Sequence, residues 1–111
     1  MSNPSKQKGT AFESAVVTYL REHDVTARRN ALTGAQDSGD IRVGPWTLEA
    51  KNRRVYDFGT AVDEAKAEAA HAGTPRYAAV IKRNGKGDVA RAFVVMELEQ
   101  FTAVLIDAGM I

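Results

Sequence analysis

The run Gly39-Asp40-Ile41-Arg42-Val43-Gly44-Pro45-Trp46-Thr47-Leu48-Glu49-Ala50-Lys51 constrains this chain more than any other stretch. Two alternating segments flank a Gly-Pro pair, the pattern of two antiparallel strands joined by a two-residue turn. In that register Val43 faces Trp46, Ile41 faces Leu48 and Asp40 faces Glu49. Side chains alternate across a strand, so Ile41, Val43, Trp46, Leu48 and Ala50 share one face, while Asp40, Arg42, Thr47, Glu49 and Lys51 share the other. The first is a core face. The second sets two carboxylates side by side, and directly opposed like charges destabilise a sheet by up to about 1 kcal/mol. A cation between them would remove that cost, and a hard ion that prefers oxygen, such as Mg²⁺, suits the donors. The alternative is an ordinary charged strand face on which Arg42 neutralises one of the acids. Lys51 follows Glu49 by two positions on the same face and favours a built site.

The support for this hairpin follows in chain order. Residues 1–8 are polar, contain Pro4 and show no periodicity, which predicts a flexible basic tail ahead of a single domain over 9–111. From Thr10 the apolar residues Phe12, Val16, Tyr19 and Leu20 recur at helical spacing, ending near His23-Asp24. Thr10-Ala11-Phe12-Glu13 fits a capping box, in which Glu13 would reach back to the first amide of the helix. Val25 to Ala31 alternates as a strand with arginines on both faces, so one of Arg28 and Arg29 points toward the carboxylate side, where a guanidinium can grip phosphate. Leu32 to Ser38 is a loop beside the hairpin, and loops in that position commonly touch substrate.

Beyond Lys51, Asn52-Arg53-Arg54 forms a basic strand end. A helix is predicted from about Asp57 to His71, with Phe58, Ala61, Val62, Ala65, Ala69 and Ala72 on one side and Gly73-Thr74-Pro75 as its stop. Tyr77 to Ile81 is continuously apolar, as in a strand buried on both faces. A basic turn, Lys82 to Asp88, leads to a strand over Ala90 to Met96. Glu97 to Ala108 closes as a helix with Phe101, Val104, Leu105 and Ala108 inward. Helix, three strands, helix, two strands and helix make an α/β fold, a central mixed β-sheet flanked by helices.

Composition narrows the function classes. With 44% hydrophobic residues among 111, the chain has enough apolar material for one core and no second module. It contains no cysteine, which excludes disulfides and thiolate metal sites and agrees with a reducing cytoplasm. No apolar run reaches the length of a membrane span and the start lacks an apolar signal core, so a soluble, cytoplasmic protein is expected. The net charge is only +1, but the cations come in small groups, including Lys6 and Lys8, Arg28-Arg29, Arg53-Arg54, and Lys82, Arg83 and Lys86. A locally basic face of this kind can hold a phosphate backbone.

Asp40 followed after a short gap by Glu49-Ala50-Lys51 resembles the core motif of the PD-(D/E)XK nucleases. The upstream run Lys8-Gly9-Thr10-Ala11-Phe12-Glu13, with Arg28-Arg29 after the first helix, is similar to the archaeal-type Holliday-junction resolvases, including small phage-encoded relatives. The resemblance spans roughly Lys8 to Ile81. It implies a restriction-endonuclease-like core and an Mg²⁺-dependent endodeoxyribonuclease, with Mn²⁺ able to substitute. It further implies four-way DNA junctions as substrate, a homodimer as the working unit and a phage origin, with action in the host cytoplasm. Asp40, Glu49 and the backbone carbonyl of Ala50 would be metal ligands, Glu13 would join them directly or through water, and Lys51 would orient the attacking water. Lys8, Arg28, Arg29, Thr33, Arg53 and Arg54 would contact DNA. Gly39 stands where the family name has proline, which removes a φ constraint and leaves the chemistry intact. The resemblance offers either Thr33-Gly34 or Ser38-Gly39 as the counterpart of the resolvases' loop serine. For Glu13, capping and metal-site membership both stand.

Two rival functions keep the same residues. One is a PD-(D/E)XK nuclease acting on other DNA or RNA structures; the other is a catalytically silent nucleic-acid-binding module. Dimer surfaces are expected on the alanine-rich helix or on the apolar end from Leu105 to Ile111.

Overall fold

A computed structural model of the chain describes residues 4–29 and 40–109, with side chains from residue 9 onward. Helix α1 spans Pro4–Glu22, followed by strands β1 (Arg28–Arg29), β2 (Asp40–Val43) and β3 (Trp46–Lys51). Helix α2 (Phe58–Ala72), strand β4 (Arg76–Ile81), a single helical turn at Val89–Arg91, strand β5 (Phe93–Val95) and helix α3 (Leu98–Asp107) complete the order. The strands form one five-stranded sheet in the order β1-β2-β3-β4-β5. All neighbours are antiparallel except β3 and β4, which are parallel and are connected through α2. This is the α/β architecture expected, a mixed sheet with helices on both faces.

The hairpin has the register that alternation requires: Val43 pairs with Trp46, Ile41 with Leu48 and Asp40 with Glu49. Gly44 opens the turn at φ 51°, a left-handed conformation that costs glycine nothing and that twist-matched hairpin turns demand. On one face of the sheet Phe12, Val16 and Val17 of α1 pack with Ala27, Ile41 and Val80. On the other, Ala61, Val62, Ala65 and Ala69 of α2 pack with Tyr77, Ala79 and Ile81. Small alanine side chains let α2 lie close to the strands. Its ends are fixed as the sequence suggests: Asp57 accepts a hydrogen bond from the Thr60 amide at 3.1 Å, and Gly73 closes the helix in the left-handed region at φ 75°. A cap such as Asp57 contributes about 1 kcal/mol.

Several expectations are corrected. Helix α1 begins at Pro4, so residues 4–8 belong to it rather than to a flexible tail. Proline is tolerated in a first turn, where its missing N–H has no partner to lose, and the polar residues after it are competent helix formers. Glu13 consequently lies well inside α1, and the capping box does not form. The last strand is only Phe93–Val95. Asp88 accepts from the Ala90 amide at 3.0 Å and turns the chain into the helical turn before the strand can start.

Helix α3 also docks differently from its apolar pattern. Phe101 is 47% exposed, and the buried residue on this helix is Gln100 at 2%. Its Oε1 accepts from the Tyr77 amide at 3.3 Å and its Nε2 donates to the Pro75 carbonyl at 3.4 Å. Because β5 pairs only with Ala79, Val80 and Ile81, the beginning of β4 lacks a strand partner on that side, and Gln100 supplies the hydrogen bonds instead. Gln100→Leu would leave a buried amide unsatisfied and is expected to lower unfolding stability by about 1–3 kcal/mol, measurable by urea titration.

Candidate functional site

The polar face of the hairpin is covered. Asp40 is 0% exposed, Thr47 0% and Glu49 5%: β2 and β3 are interior strands, and α2 packs over β3 on this side. Asp40, Glu49 and Lys51 therefore do not stand exposed at a sheet edge. Alternation identifies the two faces of the hairpin but does not reveal which one a later helix covers.

Buried polar groups need partners. Thr47 has one in the Thr74 hydroxyl at 2.7 Å. Arg42 donates from Nε and an Nη to the same Asp40 oxygen, Oδ2, both at 3.3 Å. Lys51 Nζ lies 3.4 Å from Glu49 Oε1 and is also hydrogen-bonded to Glu64 of α2. Each carboxylate thus gives one oxygen to a cation on its own strand. The other two, Asp40 Oδ1 and Glu49 Oε2, are buried with no partner among the described residues. They belong to directly paired residues at the open end of the hairpin.

Burial pushes the Glu49 carboxyl up from 4.5 to about 7, opposed by Lys51 and reinforced by the negative charges of Glu68 and Asp40. Glu64 and Glu68 of α2 are therefore part of this environment, and reading the chain in one dimension missed them. Their signal is present in retrospect: they sit one helical turn apart beside the alanine stripe of the helix that crosses over β3.

The other anticipated residues fall as follows. Glu13 lies on the opposite side of the sheet, buried at 6% among the α1 core residues, where Arg29 Nε donates to its Oε1 at 2.7 Å. It is not brought to Asp40 and Glu49. Among the described residues, no group of three or more acids and histidines is close enough to hold a metal. Arg29 shares the α1 side with Ile41, its pairing partner, whereas Arg28 pairs with Arg42 and shares the carboxylate side. Both are exposed. Arg53 and Arg54 are exposed just beyond β3. The Ala50 side chain packs with the α1-side cluster, between Glu49 and Lys51 in sequence. Lys8 lies in α1. Thr33 and the competing Ser38 lie outside the described residues. No described helix is long and apolar enough to cross a membrane.

The donors fit a hard divalent cation: two carboxylate oxygens on facing residues, with no partner among the described residues, in a chain without cysteine. No family model matches this chain, and no curated protein or solved structure matches it either.

The raised Glu49 carboxyl has a defined effect on stability. The folded state holds this proton more tightly than the unfolded chain, so the stabilisation is complete below the unfolded value of 4.5 and is lost as pH rises through about 7. The ionised, buried carboxylate then stands as a deficit on the order of 3 kcal/mol. Glu49→Gln is expected to raise the melting temperature relative to the parent at pH 8, with the advantage shrinking toward pH 4.5. Thermal melts of the two proteins across that range measure it.

Proposed function

We propose that this protein is a metal-dependent nuclease that hydrolyses phosphodiester bonds in branched DNA, with the four-way junction as its substrate. The observation that carries the reading is the pair of facing, buried carboxylates, each with one unsatisfied oxygen, with Lys51 on the same face. Folding alone gives little reason to bury such a pair, since directly opposed like charges weaken a sheet. Asp40 and Glu49 would hold the cation through these oxygens, with the Ala50 carbonyl as a further ligand. When bound, Mg²⁺ or Mn²⁺ supplies charge stabilisation at the phosphate and a hydroxide nucleophile at neutral pH.

The remaining roles belong to the chain. Lys51, steadied by Glu49 and Glu64, presents an ammonium that can only donate, so it neutralises charge on the phosphate and orients the attacking water rather than taking its proton. Arg42 keeps Asp40 in place by binding its other oxygen. Arg28 on the same side, and Arg53 and Arg54 beyond β3, are exposed cations that would contact the neighbouring phosphates of the DNA.

A junction offers two strands for cutting in a symmetric arrangement, which a two-fold dimer with two such sites matches. The alanine stripe of α2 cannot form its surface, because Ala61, Ala65 and Ala69 are buried against the sheet. Helix α3 leaves Leu98, Phe101 and Ile106 exposed and is the better candidate. Light scattering after size-exclusion chromatography should give twice the 12.0 kDa chain mass, and a monomer at assay concentration would remove the dimer from the proposal.

A silent binding module is the rival reading, favoured by the ion pairs that already neutralise one oxygen of each acid. A labelled junction and a matched linear duplex, incubated with Mg²⁺, separate the two. Paired symmetric cuts that vanish in Glu49→Ala, while DNA binding persists or tightens, are the expected result. Cleavage of the linear duplex alone would leave a nuclease of another substrate class. Absence of cleavage with both Mg²⁺ and Mn²⁺ would leave only the binding module.

A further inference from the structure

The proposed chemistry leaves the basic turn after β4 without a task. A cleft of about 220 Å³ lies between α1 and this turn. Its wall is apolar, formed by Phe12 and Ala15 from α1 facing Val89 and Ala92. Its rim carries Lys82, Arg83 and Lys86 against a single carboxylate, Asp88, whose Oδ1 already accepts from the Ala90 amide. Drug-sized sites start at about 300 Å³, so the space suits one ring system rather than a longer ligand.

The position is informative. Asn52 follows the last residue of β3, Lys82 follows the last residue of β4, and both line the cleft. It therefore opens at the carboxyl ends of the two parallel strands, where ligands of open α/β sheets bind. Asp40, Glu49 and Lys51 lie at that same end of the sheet. The turn is also held in place: the Tyr56 hydroxyl donates to the Lys82 carbonyl at 2.9 Å, Asn84 donates to the Arg54 carbonyl at 2.9 Å, and the Arg83 guanidinium lies 5.3 Å from the centre of the Phe93 ring. These contacts join the rim cations to Arg53 and Arg54 in one positive end.

We infer that this cleft holds one unpaired nucleotide of a DNA strand, its base against the apolar wall and its flanking phosphates on Lys82 and Lys86. An apolar slot under a cationic rim is the combination that single-stranded nucleic acid requires, since every base has a flat apolar face and every linkage a negative charge. The inference rests on the reading of this protein as acting on branched DNA, where strands part and bases lose their partners. It does not depend on the carboxylates being catalytic.

The test is binding without metal, in EDTA, using a short single strand that carries 2-aminopurine and a blunt, fully paired duplex as control. The base fluorescence should change on binding, and the strand should bind more tightly than the mononucleotide dAMP. Ala15→Leu, an exposed helical position, should fill the slot and weaken strand binding by about tenfold or more, the loss of one base's stacking. Duplex affinity should stay unchanged. Lys82→Ala with Lys86→Ala should reduce the salt dependence of strand binding by a slope of about 1.4, two phosphate contacts at roughly 0.7 each.

Strand binding that ignores Ala15→Leu, or loss of strand and duplex binding together, would overturn the inference. Equal affinity for dAMP, or equal competition by a polyglutamate peptide, would do the same. If strand binding behaves as expected but no junction is cut, the nuclease reading fails alone. If junctions are cut but Ala15→Leu leaves strand binding unchanged, this inference fails alone.

Discussion

The structure turns on the burial of the polar face of one hairpin, whose second strand lies beneath helix α2. Apolar strands could pack there at less electrostatic cost, yet Asp40, Thr47, Glu49 and Lys51 occupy the interior positions. The helix makes this tolerable in two ways. Its alanines let it approach the sheet, and Glu64 on its flank gives Lys51 a second acid to bind. Two oxygens of the facing carboxylates, Asp40 Oδ1 and Glu49 Oε2, have no partner among the described residues, so unmet electrostatic demand falls at one point, a directly paired set of residues. Because the acids sit on adjacent strands in fixed register, that point is rigid, and a binding constellation benefits from rigid support.

The same covering explains why two similar-looking acids have different fates. Glu49 loses solvent and faces other negative groups, so ionisation is costly there. Glu13 is buried as well, but on the far side of the sheet, where Arg29 reaches it across β1. Glu49 shares the Lys51 ammonium with Glu64, whereas Glu13 is bound by the Arg29 guanidinium. The difference comes from strand parity: Arg29 and Arg28 point to opposite faces, and only the first reaches α1.

Much of this was legible in the chain. The register that sets Asp40 against Glu49 follows from alternation around Gly44-Pro45, since a slip of one residue would have turned Ile41 and Leu48 out of the core. The ends of α2 were marked by Asp57 and Gly73, and the fully buried β4 by its unbroken apolar run. The start of α1 was obscured because Thr10 and Glu13 imitate a cap and residues 4–8 lack an apolar stripe. The contributions of Glu64, Glu68 and Gln100 depend on how elements distant in sequence meet, and no local pattern encodes that. Gln100 in particular interrupts an apolar helix, and only the shortness of β5 explains why a polar side chain belongs there.

The brevity of β5 has a consequence for assembly. An edge strand presents unpaired amides and carbonyls to any passing chain, and long, flat edges invite strand-by-strand growth into aggregates. Here the edge offers three residues, preceded by a helical turn and followed closely by α3, whose glutamine occupies the neighbouring hydrogen-bonding positions on β4. The fold thereby blunts this side of its sheet against templated association. On this side of the sheet another chain would meet side-chain surfaces, where partner and geometry can be selected, rather than a row of free backbone groups.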